Sequence, residues 1–229
     1  MVETSVTVQW LGSDDARIAQ LWRFLQELSS GSWTFEGRSE ALTESAFVLA
    51  IQTHSVEFVG GRVVSFSLDA PTWTASGVIV TERKEGLPIV VGSQLEIQPK
   101  AGWEEEEVRQ MVSRCRDVFE DCLWIGAEAV GVCLSGPTVQ GRPMVGWVNY
   151  ISLAEYNVAP LSAHFADSDV AVEMDAKGAT VWVSGPRWSP DNYRAVDALS
   201  SMEACWEECL ATTHTLEATY EHLAKSECS

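Results

Sequence analysis

The side chains here best suited to chemistry are thiols and carboxylates. Cys115 and Cys122 stand seven residues apart, and Cys205 and Cys209 four apart. At helical periodicity each spacing returns to one face, so four thiolates from two helices form a candidate zinc set. A packing role competes with it. Cys115, Cys122 and Cys209 fall on apolar stripes, where a free thiol behaves as a small hydrophobe. No C-x-x-C pair occurs, and none of His54, His164, His214 and His222 stands at ligand spacing from a cysteine. Packed free thiols are therefore expected, with no metal site.

Nucleophilic and phosphate-binding signatures are missing. The chain has no G-x-S-x-G, no G-x-x-x-x-G-K-[ST] and no G-x-G-x-x-G. Ser, His and Asp residues are present, but no spacing joins them into a triad. The loop holding Gly136 and Gly141 lacks the lysine and the strand-to-helix context of a phosphate cradle. Among 33 acidic residues some carboxylates will be neighbours, as a glycoside hydrolase requires, yet no pattern singles out a pair. No catalytic or cofactor-binding residue is expected.

The carboxylates have a second use, in recognition. The 33 acidic residues oppose 15 basic ones, a formal charge of −18, while 46% of the chain is hydrophobic and 10 residues are Trp. A disordered acidic chain lacks such apolar content, so a folded domain with a negative surface is implied. That surface attracts cationic partners and repels nucleic acid and anionic membranes. Two acidic stretches stand out as partner surfaces. Glu104, Glu105, Glu106 and Glu107 follow Trp103 directly, an aromatic anchor beside an acidic rim. Glu203, Glu207 and Glu208 lie on a helical pattern nearer the C-terminus. The competing reading of either stretch is a solvated helix face. Trp10, Trp22, Trp147, Trp182 and Trp206 fit core positions, whereas Trp33, Trp73, Trp103 and Trp188 stand near loops.

These groups need elements to hold them. Val6, Val8 and Trp10 alternate as a strand. Ile18, Leu21, Trp22, Leu25 and Leu28 follow at helical spacing behind the capping residues Ser13, Asp14 and Asp15. Residues 39–53 suit a helix better than a strand. Residues 56–59 and 62–68 flank Gly60-Gly61 as a hairpin. Strands are expected at 77–82 and 94–98. A long helix then runs through Val108, Met111, Val112, Cys115, Val118, Phe119, Cys122 and Leu123, with residues 104–107 at its start. Strands follow at 129–134 and 145–153, with a hairpin at 170–174 and 180–184. Ser189-Pro190 opens another helix, whose stripe is Val196, Leu199, Met202, Trp206, Cys209 and Leu210, and 216–224 is helical. The order predicts an α+β fold, mostly antiparallel sheet with flanking helices, in one domain over 1–229. Two similar halves, 1–100 and 101–229, are a variant of that expectation.

Several of these segments resemble the immunity protein 52 family of bacterial polymorphic toxin and type VI secretion systems. Residues 63–68, 75–80 and 95–99 resemble that family's paired strands ending in a proline. Gly146-Trp147-Val148-Asn149-Tyr150 resembles its G-W-x-x-Y strand, and residues 178–181 with Asp191-Asn192 resemble its C-terminal hairpin and helix start. Asp69-Ala70-Pro71 stands where the family has a small polar motif. The resemblance implies a cytoplasmic antitoxin that binds and blocks a cognate toxin, a nuclease of restriction-endonuclease fold, by stoichiometric contact. No apolar run approaches the roughly 18 residues needed to cross a bilayer, and the first residues lack the basic and apolar regions of a secretory leader. A hydrolase built on carboxylates and an adaptor or chaperone for a secreted effector are the alternatives.

Overall fold

The computed structural model describes residues 4–10, 15–29, 33–35, 40–58, 61–83, 93–119, 122–129, 148–152, 159–166 and 170–183. Fourteen elements run in the order β1 (Thr4–Trp10), α1 (Asp15–Leu28), β2 (Thr34–Phe35), α2 (Glu44–Thr53), β3 (Val56–Phe58), β4 (Gly61–Asp69), β5 (Trp73–Arg83), β6 (Ser93–Pro99), α3 (Glu105–Val118), β7 (Cys122–Ala129), β8 (Val148–Ser152), α4 (Ala159–His164), β9 (Val170–Met174) and β10 (Gly178–Val183). The fold is α+β, as expected. Its strands form one ten-stranded sheet in the order β2-β4-β5-β6-β1-β7-β8-β10-β9, with β3 also on β4. Each described pairing is antiparallel. The first strand lies between β6 and β7, so it joins strands from both sides of residue 100 into one sheet.

Strand alternation sends Val6, Val8 and Trp10 of β1, Leu95 and Ile97 of β6, and Val64, Phe66 and Leu68 of β4 into one core. The helices α1, α2 and α3 cover that face. Ile18, Leu21, Trp22 and Leu25 recur at helical spacing on α1 and are buried. Trp22 stacks on Phe47 of α2, with centroids 5.3 Å apart, and Phe47 meets Phe66 edge-on at 5.7 Å. Phe24 meets Phe119 edge-on at 5.4 Å, and Phe119 stacks on Trp10 at 5.1 Å. Thr43 caps α2 by accepting from the Ala46 N–H at 3.2 Å.

On the opposite face Ile151, Ala179 and Val181 are also buried, together with Leu161 of α4 and the adjacent Phe165. All five residues of β8 are buried, which places that strand between apolar layers.

Two expectations change. The helix read through Leu123 stops at Val118, and Cys122 and Leu123 begin β7. Cys122 keeps its place in the core as a strand residue, so the 3.6-residue pattern continued by coincidence. The strand expected from 129 to 134 occupies 122–129 instead, and 130–134 lies outside the described residues. The helices expected after Ser189, and with them Cys205 and Cys209, lie outside the described residues as well.

Candidate functional site

The acidic run at the start of α3 is largely occupied by its own helix. The Glu107 carboxylate accepts from the Glu104 N–H at 2.7 Å, the reach-back arm of a capping box. Glu106 accepts from Gln110 Nε2 at 3.2 Å and from Arg109 Nη2 at 2.7 Å. The Gln110 hydrogen bond first, and then the Arg109 bond and charge, hold its carboxyl below the ordinary Glu range. Glu105 starts the helix. Glu203, Glu207 and Glu208 lie outside the described residues.

Trp103 is not an exposed anchor. It is 3% exposed and meets Trp73 edge-on at 5.3 Å, so its ring pins the turn between β6 and α3. Gly102, at φ 75°, supplies the left-handed residue that turns the chain into that ring. Trp33 is fully buried and donates its indole N–H to the Leu25 carbonyl at 2.8 Å. Burial of about 150–250 Å² per aromatic ring explains why these loop tryptophans turn inward.

Cys115 and Cys122 are buried thiols that form no disulfide among the described residues. Burial pushes the Cys115 thiol well above its ordinary value, which suits packing rather than ligation. Among the described residues no group of three or more His, Cys, Asp or Glu could hold a metal ion.

The structure instead brings together a polar trough beside α3. The face of α3 carrying Glu106, Arg109, Gln110, Ser113 and Arg116 forms one wall. Val148, Thr180, Trp182 and Glu173 form the floor and far wall, and the volume is about 330 Å³. The register explains the floor. Glu173 pairs with Thr180, and Trp182 with Val148, so all four point to the α3 side of the sheet. Arg109 lies 5.6 Å from the Trp182 ring centroid, within cation–π range. Its Nε is shielded from solvent and has no hydrogen-bond partner among the described residues. Arg116 pairs with Asp175 at 2.8 Å and lies 5.8 Å from the Tyr150 ring centroid. Burial first, then the neighbouring Cys122 and Asp175, pushes the Tyr150 hydroxyl up to about 12. Arg116 opposes that rise.

The sequence reading singles out none of Arg109, Arg116, Glu173 and Thr180 as site residues. The available signal was in the β9–β10 hairpin. There the same-face positions Glu173, Thr180 and Trp182 are two polar groups and an indole, where a sheet wholly covered by helices would carry aliphatics.

A second cleft, of about 340 Å³, lies between α2 and β4 and is lined by Phe35, Ile51, Val64, Phe66 and His54 among others. It is mainly apolar, and its described lining residues include no carboxylate.

Asp175 fixes the hairpin that carries Glu173. Its Oδ1 accepts from the N–H groups of Lys177 at 2.7 Å and Gly178 at 2.9 Å, and its Oδ2 accepts from Arg116. Partial burial pulls its pKa up, but the two backbone bonds and Arg116 outweigh that and leave it below the ordinary value of 3.8. A folded value below the unfolded one adds stability that is full above 3.8 and fades as pH falls through the folded value. Asp175→Asn keeps an oxygen for the turn and removes the charge. It is expected to cost about 0.5–1 kcal/mol at neutral pH, the range of a solvent-screened pair. In urea titrations at decreasing pH, the gap between wild type and variant should close below pH 3.8; a constant gap would show that the charge contributes nothing.

Neither protein-family models nor curated proteins give a match to this chain.

Proposed function

We propose that this protein is an immunity-type antitoxin, which neutralises a cognate basic toxin by stoichiometric binding. One observation carries the proposal. The net charge is −18, and four of the described cations are tied to the protein's own acids. Arg109 pairs with Glu106, Arg114 with Glu27, Arg116 with Asp175, and Lys100 with Asp69. Internal pairing of cations leaves the acidic surplus to face outward. Such a surface docks a Lys- and Arg-rich partner with fast, salt-sensitive association. A nuclease fits that description, because its phosphate-contacting surface is basic and an acidic protein competes for it. The resemblance to immunity protein 52 points the same way.

The test uses the tagged protein to retain its partner from source cells, followed by titration of the partner's activity. We expect a basic nuclease that falls silent at one-to-one stoichiometry. We also expect affinity to drop at least tenfold between about 50 and 500 mM salt, as charge–charge docking screens. A retained partner that stays fully active would sink the antitoxin reading, and salt-independent affinity would sink its electrostatic basis.

A further inference from the structure

We propose that the trough between α3 and the β9–β10 hairpin receives an arginine side chain of the basic partner, with Glu173 as its carboxylate. This rests on the reading of the protein as a binder of a basic partner, and it names a contact point.

The trough holds two guanidiniums, which at first sight should repel a third. Each already has a carboxylate, however. Arg109 is 2.7 Å from Glu106, and Arg116 is 2.8 Å from Asp175 and 3.6 Å from Asp117. A carboxylate left uncompensated among the described residues is that of Glu173, which is exposed and has no described cation within ion-pair distance. Around it the trough offers acceptors. Thr180 stands directly across the hairpin, and its hydroxyl makes no hydrogen bond among the described residues. Gln110 spends its amide N–H on Glu106, which leaves its carbonyl oxygen for a donor. A guanidinium has five N–H donors and no acceptor, so it matches this set.

The aromatic floor selects guanidinium over a hydrated ammonium. A planar cation stacks on an indole and loses less hydration on doing so. Arg109 demonstrates this within the same trough, since its guanidinium lies over Trp182 while pairing with Glu106. The volume, about 330 Å³, is at the small end for ligand sites and suits one side chain rather than a folded segment.

The probe is a capped triarginine peptide, titrated into the ¹⁵N-labelled full-length protein. A capped tricitrulline peptide, nearly isosteric and uncharged, is the control. Saturable shifts are expected at the Trp182 indole N–H and at the Glu173 and Thr180 amides, with tricitrulline silent. Glu173→Gln should weaken triarginine binding about fivefold, the scale of one screened ion pair. Glu44→Gln, in the first turn of α2, should leave it within twofold. Because Glu173 is exposed on an edge strand, the variant should fold, and an unchanged spectrum elsewhere checks this.

Shifts spread over the whole acidic surface, or equal affinity in Glu173→Gln, would overturn the proposal. Inorganic phosphate is a third titrant, since the Arg109 Nε, which has no hydrogen-bond partner among the described residues, is a donor that would suit an anion. Saturable shifts of Trp182 with phosphate but not with triarginine would make the trough an anion site instead. The outcome is separable from the antitoxin reading. A toxin silenced equally well by Glu173→Gln keeps that reading and removes the trough. Glu173-dependent peptide binding by a protein that silences no partner keeps the trough and removes the antitoxin.

Discussion

Trp10→Ala should abolish folding or come close to it, whereas Trp10→Phe should be nearly silent. Trp10 is fully buried at the centre of the sheet and stacks on Phe119, which Phe24 meets edge-on. Truncation to Ala would leave a cavity between β1 and the α1–α3 layer, at a cost of about 3–5 kcal/mol. That is a large share of the 5–15 kcal/mol by which a typical domain is stable.

Phe at the same position keeps most of the ring and removes the indole N–H, which is buried with no hydrogen-bond partner among the described residues. An unmade buried bond costs about 1–3 kcal/mol, so its removal offsets much of the lost volume. We expect Trp10→Phe to fall within about 1 kcal/mol of wild type. Trp33 provides the contrast. It is equally buried, but its N–H donates to the Leu25 carbonyl at 2.8 Å. Trp33→Phe therefore loses a hydrogen bond as well as volume, and should be worse than Trp10→Phe by about 1 kcal/mol. Urea midpoints of the three variants decide the matter. If Trp10→Phe proves as damaging as Trp33→Phe, the unpartnered N–H carries no penalty.

The sequence made the sheet-and-helix plan legible because local periodicity carries it. β1, α1, α2, the β3–β4 pair and the β9–β10 hairpin all formed where alternation, helical spacing or glycine turns placed them. The end of α3 was not legible. Phe119, Cys122 and Leu123 continue a helical stripe in register, but the Phe119 N–H bonds back to Cys115 and the Cys122 N–H to Phe119, which closes the helix and starts a strand. Local pattern cannot show that β1 stands ready to pair with residues 122–129. Trp103 failed for a similar reason. A tryptophan next to four glutamates reads as a surface feature, and only the distant Trp73 turns it inward. The trough needed the hairpin register and the position of α3 together, so composition showed its charges without showing their grouping.

Gly77→Ala should be the most damaging small substitution in the sheet, although it adds a single methyl group. Gly77 lies on β5 directly opposite Phe66 of β4. A Cβ there would stand 2.9 Å from Phe66 Cζ and would collide with the Gln94 carbonyl oxygen of β6. The Phe66 ring covers the bare glycine backbone, a way of packing an aromatic across a strand pair. Phe66 cannot retreat easily, because Phe47 meets it edge-on and Trp22 stacks behind Phe47. Overpacking of this kind costs about 1–3 kcal/mol, and the upper end is expected here. Gly178 is crowded by Tyr150 from the diagonal position on β8: an added Cβ would stand 2.7 Å from its Oη and would collide with the Ile151 carbonyl oxygen. Its hairpin pairs with β8 on one side and ends in the edge strand β9, so it has more room to yield. Gly178→Ala should therefore cost less than Gly77→Ala. A double-mutant cycle identifies the cause. Phe66→Leu clears space above residue 77, so combining it with Gly77→Ala should recover about 1 kcal/mol relative to the sum of the single changes. Strict additivity would mean that the penalty comes from the Gln94 backbone alone and that the ring over the glycine contributes nothing to it.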